Sequence, residues 1–201
     1  MITFFKKLLE KEEIVDIEKV SDQASLSVKN SQYDKLLFGL FVGSEKLSEV
    51  FFGYFERCVR VEVDQVTVLS SEVEILQQYL ELFKLAKSDS IFYKLNIKCE
   101  TEEVKTGIVW PFVLFPLVQN ALYYGYNTME KYPLKINIKI TSSTLKLEVS
   151  NRVNHYVENQ EVNDIVRLYK ARLDTLYQGR YDLIFNSNSN LFKATLFLQL
   201  N

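Results

Sequence analysis

The chain has 201 residues, 47% hydrophobic and 25% charged, a composition that places it among folded globular proteins and excludes intrinsic disorder. Its net charge of −2 gives no electrostatic case for nucleic acid, and no window approaches the ~20 apolar residues of a membrane span. The opening Met1-Ile2-Thr3-Phe4-Phe5-Lys6-Lys7-Leu8-Leu9 is too short for a signal peptide and reads as a short amphipathic helix docked on its own domain, with a place on a membrane surface as the lesser alternative. Leu36, Leu37, Leu40 and Phe41, then Leu47, Val50, Phe51, Tyr54, Phe55 and Cys58, recur at three- and four-residue spacing. They predict two amphipathic helices, with Gly43-Ser44 as the stop of one and the N-cap of the next, hence a helical hairpin with a wide aromatic face. A third helix is predicted from Ser70 or Ser71, with Glu74 completing a capping box on Ser71 and Val73, Leu76, Leu80 and Phe83 as its apolar stripe. Ser88-Asp89-Ser90 ends it as a polar turn.

The period then changes from helix to strand. Ile91, Tyr93, Leu95, Ile97 and Cys99 alternate with polar residues. An apolar helix marked by Pro111 and Pro116 runs through Asn120. Leu134-Ile136-Ile138-Ile140 and Leu145-Leu147-Val149 alternate around Ser142-Ser143, a hairpin. A helix over about 161–177 carries Val162, Val166, Leu173 and Leu176, and two further strands, Tyr181-Leu183-Phe185 and Phe192 to Leu200, flank an Asn/Ser turn. One-sided alternation in consecutive strands predicts an α+β protein: a two-layer α/β sandwich with a mixed, mainly antiparallel sheet and helices on one face. The division implied is a helical hairpin over 1–65 and an α/β domain over 66–201. Cys58 and Cys99 have no metal-ligand spacing and read as free thiols of a reducing cytoplasm.

Pro116-Leu117-Val118-Gln119-Asn120-Ala121-Leu122-Tyr123-Tyr124-Gly125, with Pro111 upstream, resembles the nucleotide-site helix of LytS-type sensor histidine kinases, P-L-V-E-N-A-x-K-H-G. The stretch from Val66 through Leu69 and Glu72 to Tyr79-Leu80 is similar to that family's V-x-L-x-x-E-L-x-x-x-x-x-Y-L segment. Ala171-Arg172-Leu173-Asp174-Thr175-Leu176-Tyr177 is similar to its K-R-L-x-x-x-Y. The resemblance implies the ATP-binding sandwich of the GHKL group (gyrase, chaperone, histidine kinase, mismatch repair), here as a degenerate member. It assigns Asn120 to hold Mg²⁺ against a triphosphate, Asn151 to accept from the adenine amino group, and Tyr124 to the same pocket.

Other positions depart from the family. Gln119 stands for a glutamate, Tyr123 for a lysine and Tyr124 for a histidine. The hairpin segment around Lys29 to Phe38, where the family carries its phosphoacceptor, has no histidine, and His155, the single histidine of the chain, falls in a predicted loop. Arg152-Val153-Asn154-His155 holds no glycine, and Asn163-Asp164-Ile165-Val166-Arg167-Leu168 replaces a glycine box, so no phosphate-cradling loop can be built.

Two readings of Asn120 follow: a buried amide stapling the core, or a vestigial Mg-ATP site shared with Asn151. Tyr123, Tyr124 and Tyr126 can fill such a pocket or line a new groove. The expectation is a pseudo-kinase signalling module without histidine autophosphorylation, needing no cofactor and acting by contact with other proteins. It would form a homodimer through Leu36, Leu40, Leu47, Val50, Phe51, Tyr54 and Phe55, with a response regulator or sensor kinase as further partner. The alternative is a domain that retains Mg-ATP binding through Asn120 and Asn151. A phosphotransfer protein built on a dimeric hairpin would need a histidine that the hairpin lacks.

Overall fold

In the computed structural model the described residues are 19–41, 48–88, 90–101, 107–154 and 164–200. Among them the chain forms helix α1 (19–32), α2 (Lys35–Phe41), α3 (Ser48–Val59), the short strand β1 (Thr67–Val68), and α4 (Leu69–Ala86). There follow β2 (Tyr93–Cys99), β3 (Ile108–Val109), α5 (Phe115–Tyr124), β4 (Gly125–Tyr126), β5 (Leu134–Ile140), β6 (Thr144–Val153), α6 (Asp164–Tyr177), β7 (Tyr181–Ser187) and β8 (Leu191–Gln199). Gly43, Ser44, Leu47, Asp89, His155, Val162 and the opening nine residues lie outside the described set. Among the described residues no helix is long and apolar enough to cross a membrane.

The main sheet runs β2-β5-β6-β8-β7, with β4 beside the end of β6. Only β2 and β5 pair in parallel; the other neighbours are antiparallel, so the sheet is mixed and mainly antiparallel as the alternation predicts. Leu134, Ile136, Ile138 and Ile140 of β5 face the same side as Leu145, Leu147 and Val149 of β6 and Ala194, Leu196 and Leu198 of β8, and all are buried. Each Leu, Ile or Val of this row stabilises by about 1.5–3 kcal/mol on burial, and that one-sided row is what the helices cover.

α4 begins earlier than its sequence signal. Val68 is paired with Ile108 in the β1–β3 ladder, so the chain turns from strand directly into helix at Leu69. Val68 offers no side-chain cap, and the predicted box on Ser71 does not form; Glu74 instead meets Arg57 of α3 at 2.7 Å. Leu37, Phe41, Phe51, Tyr54 and Cys58 belong to the same continuous apolar core as α4, α5 and the sheet. Phe51 and Tyr54 are therefore spent inside the chain and Phe55 is packed against that core, as is Leu40, which corrects the expectation that this stripe is a free dimer surface. The aromatic face is wide because it serves α4 (Tyr54 lies 6.2 Å from Tyr79, centroid to centroid) as well as the neighbouring Phe38 and Phe41. Leu36 and Val50 remain exposed. Of the two thiols, Cys58 is buried and Cys99 half-buried, both free.

The turn at residues 111–114 sets where α5 begins. Phe112 has φ 58°, in the left-handed region that a residue with a Cβ resists. Buried Glu72 of α4 holds this turn, accepting the N–H groups of Phe112 (2.7 Å) and Leu114 (3.1 Å) on separate oxygens. Arg172 of α6 donates to the carbonyls of Phe112 and Pro111, and Tyr169 donates to that of Val113 at 2.7 Å. Glu72 and Arg172 were both legible in the motifs, and here they clamp backbone.

Burial pushes the Glu72 carboxyl from 4.5 up to about 7, opposed by the Leu114 and Phe112 N–H groups and the Arg172 charge. Because the folded value lies above the unfolded one, the native state holds a proton that the unfolded chain releases. Stability contributed by this group is therefore full at low pH and falls as pH rises through that window. Denaturation midpoints of the wild type should decline between pH 4.5 and about 7, and the profile of Glu72→Gln should lack that part of the slope. Parallel profiles would show that Glu72 does not titrate there.

Candidate functional site

α5 is apolar and buried along most of its length, and of its polar side chains Gln119 and Tyr123 bond to residues of the α1–α2 segment. Pro116, Gln119, Tyr123 and Tyr124 follow the three- and four-residue spacing of one helical face and line a cavity of about 220 Å³. The opposite wall is Ser27, Asn30, Ser31, Asp34 and Lys35, and Ile165 and Leu168 of α6 close one end.

Asp34 organises this site. Its Oδ1 accepts the N–H groups of Leu36 and Leu37, both at 3.0 Å, and so caps α2. Its Oδ2 accepts the Tyr79 hydroxyl at 2.7 Å, the Gln119 Nε2 at 3.0 Å and the Tyr123 hydroxyl. Five donors thus converge on one buried carboxylate. Burial, reinforced by the Asp34 charge, pushes both phenols well above their usual range, so Tyr79 and Tyr123 stay protonated and donate. Gln119 is engaged further, accepting from Ser31 Oγ at 3.3 Å and donating to the Asn30 carbonyl at 3.4 Å. A glutamate at position 119 would face Asp34 at hydrogen-bond distance with no proton between them, so the amide is what this contact requires.

The residues assigned to a nucleotide do not converge in one cavity. Tyr124 lines the cavity and is 37% exposed. Asn120 is buried and is not among the lining residues. Asn151, at the end of β6, packs where β4 leaves α5: a Cβ on Gly125 would lie 2.4 Å from its Nδ2 and 2.4 Å from the Ala121 carbonyl oxygen. Its Nδ2 donates to the Arg152 carbonyl at 2.8 Å, while its Oδ1 is buried without a hydrogen-bond partner.

The fit to Mg-ATP is therefore divided. Asn151 Oδ1 is an acceptor suited to an amino group. The Gln119–Tyr123 face is filled by α1 and α2, and the space left beside it is below the roughly 300–1,000 Å³ of small-molecule pockets. Among the described residues no cluster of His, Cys, Asp or Glu could hold a metal ion.

Asp34 and Ser31 were not singled out by the sequence. The signal available for Asp34 was a lone acid at a break between helical segments, the N-cap position of α2.

No protein-family model matches the chain, and no curated protein matches it. Among solved structures it is similar to the Acinetobacter baumannii histidine kinase AdeS, at 14% identity over 83% of this chain and 94% of that one, TM-score 0.47. It is similar to a histidine kinase from Burkholderia phymatum, at 11% identity over 91% and 98%, TM-score 0.46. The histidine kinase domain of the blue-light activated kinase EL346 from Erythrobacter litoralis gives 11% identity over 91% and 94%, TM-score 0.43. Identities this low assign no role to any residue of the chain.

Two substitutions test the geometry. Asp34→Ala removes a helix cap and the acceptor shared by Tyr79, Gln119 and Tyr123, leaving Tyr79 and Tyr123 only each other and Gln119 only the Asn30 carbonyl, and should cost about 2–4 kcal/mol in denaturant unfolding. Asp34→Asn, which keeps the cap, should cost less. Gly125→Ala drives a methyl into the Ala121 carbonyl, a backbone atom that cannot swing aside, and should cost about 1–3 kcal/mol.

Proposed function

We propose that the protein is a histidine-kinase-like signalling module that works through self-association and contact with other proteins, without histidine autophosphorylation. One observation carries this reading: the α5 face on which the resemblance expects a glutamate and a lysine, at positions 119 and 123, is taken by the chain's own α1–α2 segment through the Asp34, Gln119 and Tyr123 contacts. In such a module the α5 face senses the position of an N-terminal helix, and a partner acts by binding or displacing that helix. The exposed apolar residues Leu36, Val50 and Phe52 are the surface offered to a second copy, a response regulator or a sensor kinase.

A second reading, Mg-ATP held through Asn120 and Asn151, is favoured by the unpaired Asn151 Oδ1. Thermal melting and calorimetry with millimolar Mg-ATP separate the two. The proposed module shows no shift. A ligand present at tenfold its Kd would raise the melting temperature by roughly 3–6 °C. Such a rise, abolished in Asn120→Ala, would replace the first reading by the second. Light scattering at tens of micromolar tests self-association: a dimer is expected, dissociated by Val50→Lys with Phe52→Lys, and a clean wild-type monomer would remove that part of the reading.

A further inference from the structure

The face of the sheet turned away from the helices has a charge pattern that the net charge of the chain conceals. Registers place Lys94 opposite Lys135, Lys98 opposite Lys139, and Lys139 opposite Lys146 on neighbouring strands. Lys193 joins them from β8, opposite Ser150. Contacts confirm that these positions share one face: Asn96 Nδ2 donates to Asn137 Oδ1 at 2.9 Å, Lys146 and Lys193 both reach Glu148, and Lys146 lies 5.1 Å from the Phe197 ring centre. Lys94, Lys98, Lys135 and Lys139 are exposed and make no ion pair among the described residues. With strands about 4.8 Å apart and a rise of about 3.3 Å per residue, they form two like-charged pairs about 13 Å from each other. Like charges directly opposite one another destabilise a sheet, so this arrangement is a cost to the fold alone.

At the other end of the same face the apolar side chains of Phe197 and Ile184 stand 36% and 45% exposed. The array contains lysines and no arginine. Protein interfaces enrich arginine and aromatic residues and deplete lysine. Base and phosphate readout uses forked guanidinium groups or stacking rings, and Phe197 is alone here. Diffuse attraction to an anionic surface needs neither; it needs ammonium groups on one side and apolar groups that enter the headgroup layer beside them.

We propose that this open sheet face docks the protein on an anionic lipid surface, with the four unpaired lysines supplying the attraction and Phe197 and Ile184 entering the interface. Co-sedimentation with phosphatidylcholine vesicles, with and without phosphatidylserine, at low and high salt, tests it on the full chain. The wild type should bind only the phosphatidylserine vesicles and lose binding at high salt. Lys135→Gln with Lys139→Gln should weaken binding by at least ~tenfold while the melting temperature stays level or rises, since a like-charge pair is relieved. Lys29→Gln with Lys87→Gln, the same charge change on the helical side, should leave binding unchanged. No binding of the wild type to phosphatidylserine vesicles overturns the proposal, which needs no variant to fold. Equal weakening by the two double variants, or tighter binding of the wild type to random-sequence duplex DNA than to vesicles, also overturns it.

Discussion

The fold turns on the clamp that Glu72 places on the peptide groups of residues 112 and 114. Phe112 is held in a backbone region that costs a non-glycine residue of order 1 kcal/mol or more, and it persists only because its surroundings over-determine it. Glu72 supplies acceptors and Arg172 donors, so the turn is fixed by two helices far apart in sequence. α5 leaves that turn with its rotation already set: one flank enters the core shared with the sheet, the other presents Gln119 and Tyr123 to α1. Burying two ionisable side chains in this position is an expensive way to gain stability, and its return here is directional, since apolar side chains could fill the space but could not aim a helix.

From that aim follows the relation between the two halves of the chain. The N-terminal helices share one apolar core with the sandwich, and they add a polar seam in which one carboxylate gathers donors from α4, α5 and its own helix. The same residues wall the cavity, so this seam couples α1 and α2 to α5 beside open space and not within a closed core.

The sheet was legible because period-2 alternation is a direct signature of one-sided burial, and β5 to β8 carry it with few exceptions. The apolar stripes of α3 and α4 were equally readable, though not their destination: periodicity reports that a face is covered, not whether the cover is another copy or the same chain. α1 escaped because its buried side is Ala24, Ser27, Val28, Ser31 and Gln32, small and polar residues that make no apolar stripe. The start of α4 was displaced by a tertiary effect, the two-residue ladder with β3, which outweighed the Ser71–Glu74 cap. At the site, the motif drew attention to α5, and the flanking segments to Tyr79 and Arg172, but side-chain type alone could not say that Gln119 would be matched to Asp34. That pairing joins residues 85 positions apart.

Among the described strands the pairings fall into two orders of assembly. β5–β6 and β7–β8 are hairpins whose contacts are close in sequence and close cheaply as loops, whereas β6 meets β8 only across a longer closure that spans α6 and β7. β2 likewise reaches its partner only across a closure of about forty residues, and it follows α4, whose buried residues are covered in part by α2 and α3 and in part by elements later in the chain. A ribosome delivers the parts in the opposite order. α4 and β2 emerge before α5, whose Tyr123 ring lies 5.8 Å from that of Phe83, so the buried face of α4 waits for later parts of the chain to complete its cover. The edge that waits carries Lys94 and Lys98 at alternate positions, the residue type that best discourages a premature strand from pairing there.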